Sequence, residues 1–251
     1  MDLQKAGLWK RTAAWMFDSI LLGILAVAFG VLLSWALGYD GYSQTMDEAY
    51  EMYETQYGVV FDISRESYEA MTEGERERYN AAYDALIADE NAMHAYSMML
   101  NLTLVILTLA ILLATAVIEW LIPLKLGSGR TLGKKIFGLA LMRTDSVQMN
   151  NMQLFTRAIL GKYTVETMIP VLIILMLFWG TMGVMGTAIL AVLLFAQIGC
   201  VLFTRTNSAI HDLMAGTVVV DYASQTIFRT TEDLIAYQKR VAAERAARAD
   251  Y

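Results

Sequence analysis

The chain has 251 residues, 57% of them hydrophobic and only 18% charged, with a mean hydropathy of +0.44. A soluble domain of this length carries about 25% charge, so the composition excludes an ordinary water-soluble fold and describes a protein that crosses a membrane several times. The formal net charge is −6, and the single cysteine, Cys200, lies in an apolar run. No disulfide framework or Cys/His metal spacing exists, and no cofactor, metal or nucleic-acid partner is expected.

Residues 1–38 read as a cytoplasmic N-terminus followed by the first span. Trp15–Leu37 is long enough to cross a hydrocarbon core of about 30 Å as a helix. Lys5, Lys10 and Arg11 place the preceding segment in the cytoplasm by the positive-inside rule. The run is too long for the apolar core of a signal peptide and lacks a small-residue cleavage pattern, so it is expected to remain as an anchor. Asp18 lies inside it. A carboxylate in a spanning helix costs about 2.5–3.5 kcal/mol at the centre and less near an end. The apolar neighbours outweigh that, and Asp18 is expected to face protein or water. It caps a polar seam between helices, or it binds a cation or carries a proton. Arg11 lies seven residues earlier, two turns back on the same face, where it would tune Asp18.

Residues 39–97 hold 14 acidic groups against Arg65, Arg76 and Arg78, and nine of the 13 tyrosines. They are expected as an extracytoplasmic helical insertion with a solvated acidic face, helical from Ser64 onward. Thr72 and Glu75 have the spacing of a capping box, and the helix could run on into the next span, bending near Asp89. His94 reads as an ordinary interfacial residue.

Residues 98–121 form the second span, running inward, with Glu119 at its inner end and Pro123 as a stop. Asp18 and Glu119 therefore share one side of the bilayer. Residues 122–157 are a basic cytoplasmic loop. Its glycines miss the phosphate-loop pattern, because Ser128 stands where a glycine is needed and Lys135 where a hydroxyl is needed. The better reading is an interfacial helix from Thr131, with Leu132, Ile136 and Leu139 toward lipid and Arg130, Lys134 and Lys135 at lipid headgroups.

Residues 158–204 are apolar almost throughout. Met168 to Phe203 would measure about 54 Å as one helix, too long for one span, and Gly180, Gly183 and Gly186 supply a break. Two spans are expected, about 158–180 and 184–204, with one broken helix as the alternative. Lys162 and Glu166 fall four residues apart on one face near the inner end. Residues 205–251 form a cytoplasmic tail in which Val218–Val220 could pair as a strand with Leu139–Arg143, and residues 231–249 read as a polar, solvated helix.

Three segments resemble the RDD family of membrane proteins, named for one arginine and two aspartates. They run from Trp9 through Arg11 to Asp18, from Gly129 through Lys134 and Gly138 to Arg143, and from His211-Asp212 to Val220. The resemblance covers about 1–38 and 98–222 and assigns the naming residues to Arg11, Asp18 and Asp212. The sequence departs from the family pattern in the long acidic insertion and in Ser146, where glycine is common. The resemblance implies transport, including cation/proton exchange.

The fold class expected is an all-α polytopic membrane protein with four transmembrane helices, an extracytoplasmic helical insertion and a small cytoplasmic β pair. Arg11, Asp18, Glu119, Arg157, Glu166, His211 and Asp212 form the expected polar cluster at the inner face of the plasma membrane. The leading function is a small-cation/proton transporter, acting as a homo-oligomer because four spans are few for alternating access. The alternative is a non-transporting scaffold whose acidic segment binds an extracytoplasmic protein. No nucleophile–base pair points to an enzyme.

Overall fold

The computed structural model describes residues 6–249. Four helices are long and apolar enough to cross a membrane: α1 (Leu8–Ala36), α5 (Glu90–Leu126), α7 (Asn151–Phe178) and α8 (Gly183–Phe203). Between α1 and α5 lie α2 (Tyr39–Tyr57), α3 (Arg65–Glu69) and α4 (Glu73–Ala88). After α5 come α6 (Leu132–Ile136) and β1 (Leu139–Arg143), and after α8 come α9 (Ile210–Ala215), β2 (Thr217–Asp221) and α10 (Thr231–Ala249).

The chain divides into two compact units, residues 27–110 and residues 6–26 with 111–249. In the first, α2 is bounded by Gly38 and Gly58, both left-handed. This helix is additional to the stretch expected from Ser64 onward. It packs on α4 through Met46, Ala49 and Leu86, joined by Ala92 and the half-buried Tyr53, Phe61 and Met99. The tyrosines act largely as internal staples. Rings meet edge to face at Tyr50–Phe61, Phe61–Tyr79 and Tyr68–Tyr79, 5.3–5.8 Å apart, and the Tyr53 hydroxyl donates to Asp89. The Thr72–Glu75 capping box forms. α4 does not run on into α5, because Asp89 is extended and its carboxylate accepts from the Asn91 and Ala92 amides.

In the second unit, β1 and β2 pair antiparallel with Leu141 opposite Val219. Both faces of this ribbon are covered. Leu139, Leu141 and Val219 pack with Ala14 of α1, while Ala140, Met142, Val218 and Val220 form a second cluster with Ile227. A turn follows β1, with Ser146 left-handed at φ 69°. An L-residue reaches that region at a cost that glycine does not bear.

Two stretches wind as π-helix: Ala116–Leu121 within α5 and Thr156–Met168 at the start of α7. Each is followed two residues on by a proline, Pro123 and Pro170, the only prolines in the chain. A proline lacks the N–H that a regular α-turn needs, and here it falls where the backbone bonds are already changing register. Pro123 therefore does not stop the helix, which ends at Gly127 instead.

Candidate functional site

The π-helical winding decides which charges meet. In an i→i+5 pattern, residues five apart share a face instead of residues four apart. Arg157 and Lys162 accordingly both reach Glu119: Arg157 Nη1 donates to Oε2 at 3.4 Å, and Lys162 Nζ donates to Oε1. Gly161 and Glu166 both face His211. The Glu166 carboxylate accepts from the His211 amide at 3.0 Å and lies 2.7 Å from its Nδ1. A Cβ on Gly161 would collide with the His211 backbone and Cβ, so only glycine lets α9 lie this close. Lys162 and Glu166, expected as neighbours on one face, thus serve different partners.

Arg157 is the hub. It is 2% exposed, donates through Nε to Asp212 at 2.9 Å and sets Nη2 2.9 Å from His211 Nε2. The fork geometry of a guanidinium allows one side chain to hold two acids and a ring at once. Asp212 also pairs with Arg11 at 3.6 Å, and Arg11 donates to the Asn207 carbonyl at 2.6 Å.

Asp18 is placed differently from the expectation. Arg11 does not pair with it. The Asp18 Oδ2 accepts from the Thr131 hydroxyl at 2.5 Å and its Oδ1 from the Gly133 amide at 2.8 Å. Both oxygens are committed to the start of α6, which is thereby fastened to α1. Lys134 is a further correction. Instead of reaching headgroups it is buried, with Nζ 3.9 Å from Asp18 and 3.8 Å from Glu119. The two carboxylates attract the ammonium inward more strongly than the interface holds it. Leu139, expected toward lipid, is fully buried. Arg130 stacks on the Tyr222 ring, 4.2 Å from its centroid. Of the three expected headgroup residues, Lys135 alone is exposed.

Burial dominates the titration of the groups outside the spans. It brings Lys134 down to about 8, helped by Lys162 and Arg157 and opposed by Glu119 and Asp18. It pushes His211 below its ordinary value, against the pull of Asp212. For Asp212 burial acts upward, but the guanidinium groups of Arg157 and Arg11 hold the carboxyl well below the usual range. Because Arg157 can only donate, the His211 Nε2 facing it accepts, Nδ1 donates to Glu166 and the ring is neutral. The network therefore counts four acids (Asp18, Glu119, Glu166, Asp212) against four bases (Arg11, Lys134, Arg157, Lys162).

Two cavities adjoin this network. One, of about 600 Å³, is walled by apolar side chains such as Leu22, Val165, Leu190 and Leu193, with Asp18, Glu119 and Glu166 among its lining. The other, of about 230 Å³, lies against Arg11, Lys134, His211 and Asp212. Trp15, Lys162, Glu166 and Gln197 line both, so these four side chains stand between them. Among the described residues no group of three or more His, Cys, Asp or Glu is arranged to hold a metal ion.

The structure thus brings together all seven residues expected in the polar cluster. It adds Thr131, Gly133, Lys134, Lys162 and Gln197, which sequence reasoning left out. Of the three residues that the resemblance singled out, Arg11 and Asp212 meet, while Asp18 docks the start of α6. No curated protein and no solved structure matches the chain. The family model described as "RDD family" matches residues 5–216, most of the chain, and the protein therefore belongs to the RDD family of membrane proteins.

Proposed function

We propose that this protein exchanges a monovalent cation for a proton, with Glu166 as the carboxylate for which the two compete. The observation that carries the reading is the position of Glu166. It lines both cavities, and its close partner is a histidine instead of a lysine or arginine. Ionised Glu166 beside neutral His211 leaves the network balanced at four charges of each sign. Either a proton or a monovalent cation on Glu166 then adds the same single positive charge, so one can replace the other at little electrostatic cost. Buried ionisable groups in spans are expensive and mark ion or proton pathways. Asp18 fastens α6 in this reading, whereas both Glu166 oxygens face the His211 ring, whose Nδ1–H gives way when the carboxylate takes a cation or a proton.

The orientation follows from charge. The basic loop 122–157 and the N-terminus lie on the cytoplasmic side of the plasma membrane by the positive-inside rule, with residues 39–97 outside. Four spans are few for alternating access, so the working unit is a homo-oligomer. The test is proton movement in proteoliposomes, followed with a trapped pH-sensitive dye after a gradient of sodium, potassium or tetramethylammonium is imposed. Wild type releases protons in response to at least one cation, and Glu166→Gln does not.

A second reading, a non-transporting scaffold with an outer acidic surface for a protein partner, draws on the full neutralisation of the buried charges. Wild type that moves no proton under any gradient favours it.

A further inference from the structure

The larger cavity is oversized for a bare ion, and its walls are the wrong chemistry for one. A hard cation takes a close shell of about six or more oxygens, whereas about 600 Å³ is the size of pockets that enclose small organic molecules. The lining is mostly hydrocarbon: Leu22 of α1, Val165 and Pro170 of α7, and Leu190 and Leu193 of α8. Polar groups gather on the side facing the charge network, where Glu119 and Asp18 are already engaged by Lys162, Lys134 and the start of α6. Glu166 is the carboxylate there without a lysine or arginine ion pair, and the Trp15 ring lines the cavity with it. An indole face attracts a poorly hydrated cation.

We infer that the cavity between α1, α7 and α8 binds an amphipathic organic monovalent cation, its charged head at Glu166 and Trp15 and its apolar body against Leu22, Val165, Leu190 and Leu193. This rests on the exchange reading given above and names its substrate class. Charge selects the head through Glu166, and the hydrocarbon wall selects a substituent that an alkali ion lacks. The cavity shares Trp15, Lys162, Glu166 and Gln197 with the smaller one.

The experiment uses the full chain in detergent and in proteoliposomes. Calorimetric binding is measured for benzyltrimethylammonium, tetramethylammonium, sodium and neutral benzyl alcohol. The expected order places benzyltrimethylammonium at least tenfold tighter than tetramethylammonium, with sodium and benzyl alcohol weaker still. Glu166→Gln weakens benzyltrimethylammonium at least tenfold and leaves benzyl alcohol unchanged. Leu193→Trp and, separately, Leu190→Phe narrow the wall and weaken benzyltrimethylammonium more than tetramethylammonium, each variant being checked for an unchanged melting profile. Equal binding of the two ammonium ions, or binding indifferent to Glu166→Gln as for a lipid chain filling the space, overturns the inference. If sodium still drives Glu166-dependent proton release in that case, the exchange reading survives alone. If benzyltrimethylammonium binds as expected but moves no proton, the site stands and the exchange reading falls.

Discussion

Gly133 donates its amide hydrogen to Asp18 across 115 residues of chain, at 2.8 Å, and leaves no room for a side chain between them. A Cβ there would sit 2.9 Å from the same carboxylate oxygen and collide with the Ala14 carbonyl. Gly133→Ala therefore pushes α6 off α1 and loses this bond. Leaving a buried polar group unpaired costs about 1–3 kcal/mol, so the melting temperature in detergent drops. Asp18→Asn lowers it as well, since an amide nitrogen must replace one of two acceptors. An unchanged melting temperature in both variants would show that Asp18 is not a fastening point.

Arg157 offers the severest single test of the network. Its removal leaves Asp212 and Glu119 buried with fewer cations, and breaking a buried pair by deleting one partner costs about 3–5 kcal/mol. Arg157→Ala should fail to accumulate or melt far below wild type. Arg157→Lys should rescue little, because one ammonium cannot span Asp212, Glu119 and His211 together. Denaturation of the purified variants reads both.

Arg11 pairs with Asp212 and not with Asp18. A double-mutant cycle separates the two. Arg11→Gln with Asp212→Asn should show a coupling energy above about 0.5 kcal/mol, and Arg11→Gln with Asp18→Asn should add within about that margin. The reverse pattern would restore the pairing expected from helical spacing.

Lys134 sets a pH dependence. Its ordinary value is 10.5 and burial lowers it to about 8. Between those values the folded protein binds fewer protons at this site than the unfolded chain, so the contribution of Lys134 to stability rises with pH across about 8 to 10.5. Below 8 the buried ammonium is a standing cost. Loss of its proton also leaves the network one charge negative, which favours cation uptake. Binding of benzyltrimethylammonium should therefore strengthen as pH rises through about 8 in wild type and stay flat in Lys134→Gln. Asp212, also lowered on folding, gives a slope of the same sign in a more acid window: its stabilisation is complete above the ordinary carboxylate range and is lost as strong acid protonates it.

Ser146 holds a left-handed backbone, φ 69°, in the turn after β1, and its carbonyl accepts from the Phe228 amide at 2.9 Å. Ser146→Gly keeps that bond and relieves the backbone cost. It should raise stability by up to about 1 kcal/mol, seen as a higher melting temperature.

Much of this was legible beforehand. Hydropathy and charge gave four spans and the break at Gly180, short apolar runs gave the β1–β2 pair, and Thr72 with Glu75 gave a helix start. What escaped was winding. Residues 156–168 show no sign of i→i+5 geometry in composition, so Lys162 and Glu166 were read with α-helical spacing and assigned one face. The one local signal was the placement of Pro123 and Pro170, each four residues after a glutamate in an otherwise apolar span. Lys134 was misread for a related reason: a lysine in a basic loop looks solvent-bound until the fold brings two distant carboxylates against it. Asp18 and Arg11 share a helix face in principle, but the Thr131 hydroxyl and the Gly133 amide reach the carboxylate first.

The most direct test is proton release from proteoliposomes under an imposed gradient of a monovalent cation, comparing wild type with Glu166→Gln reconstituted at equal density. The account predicts cation-driven release in wild type and none in Glu166→Gln, with the variant still folded, as a cooperative melting transition shows. Equal release from the two would contradict it.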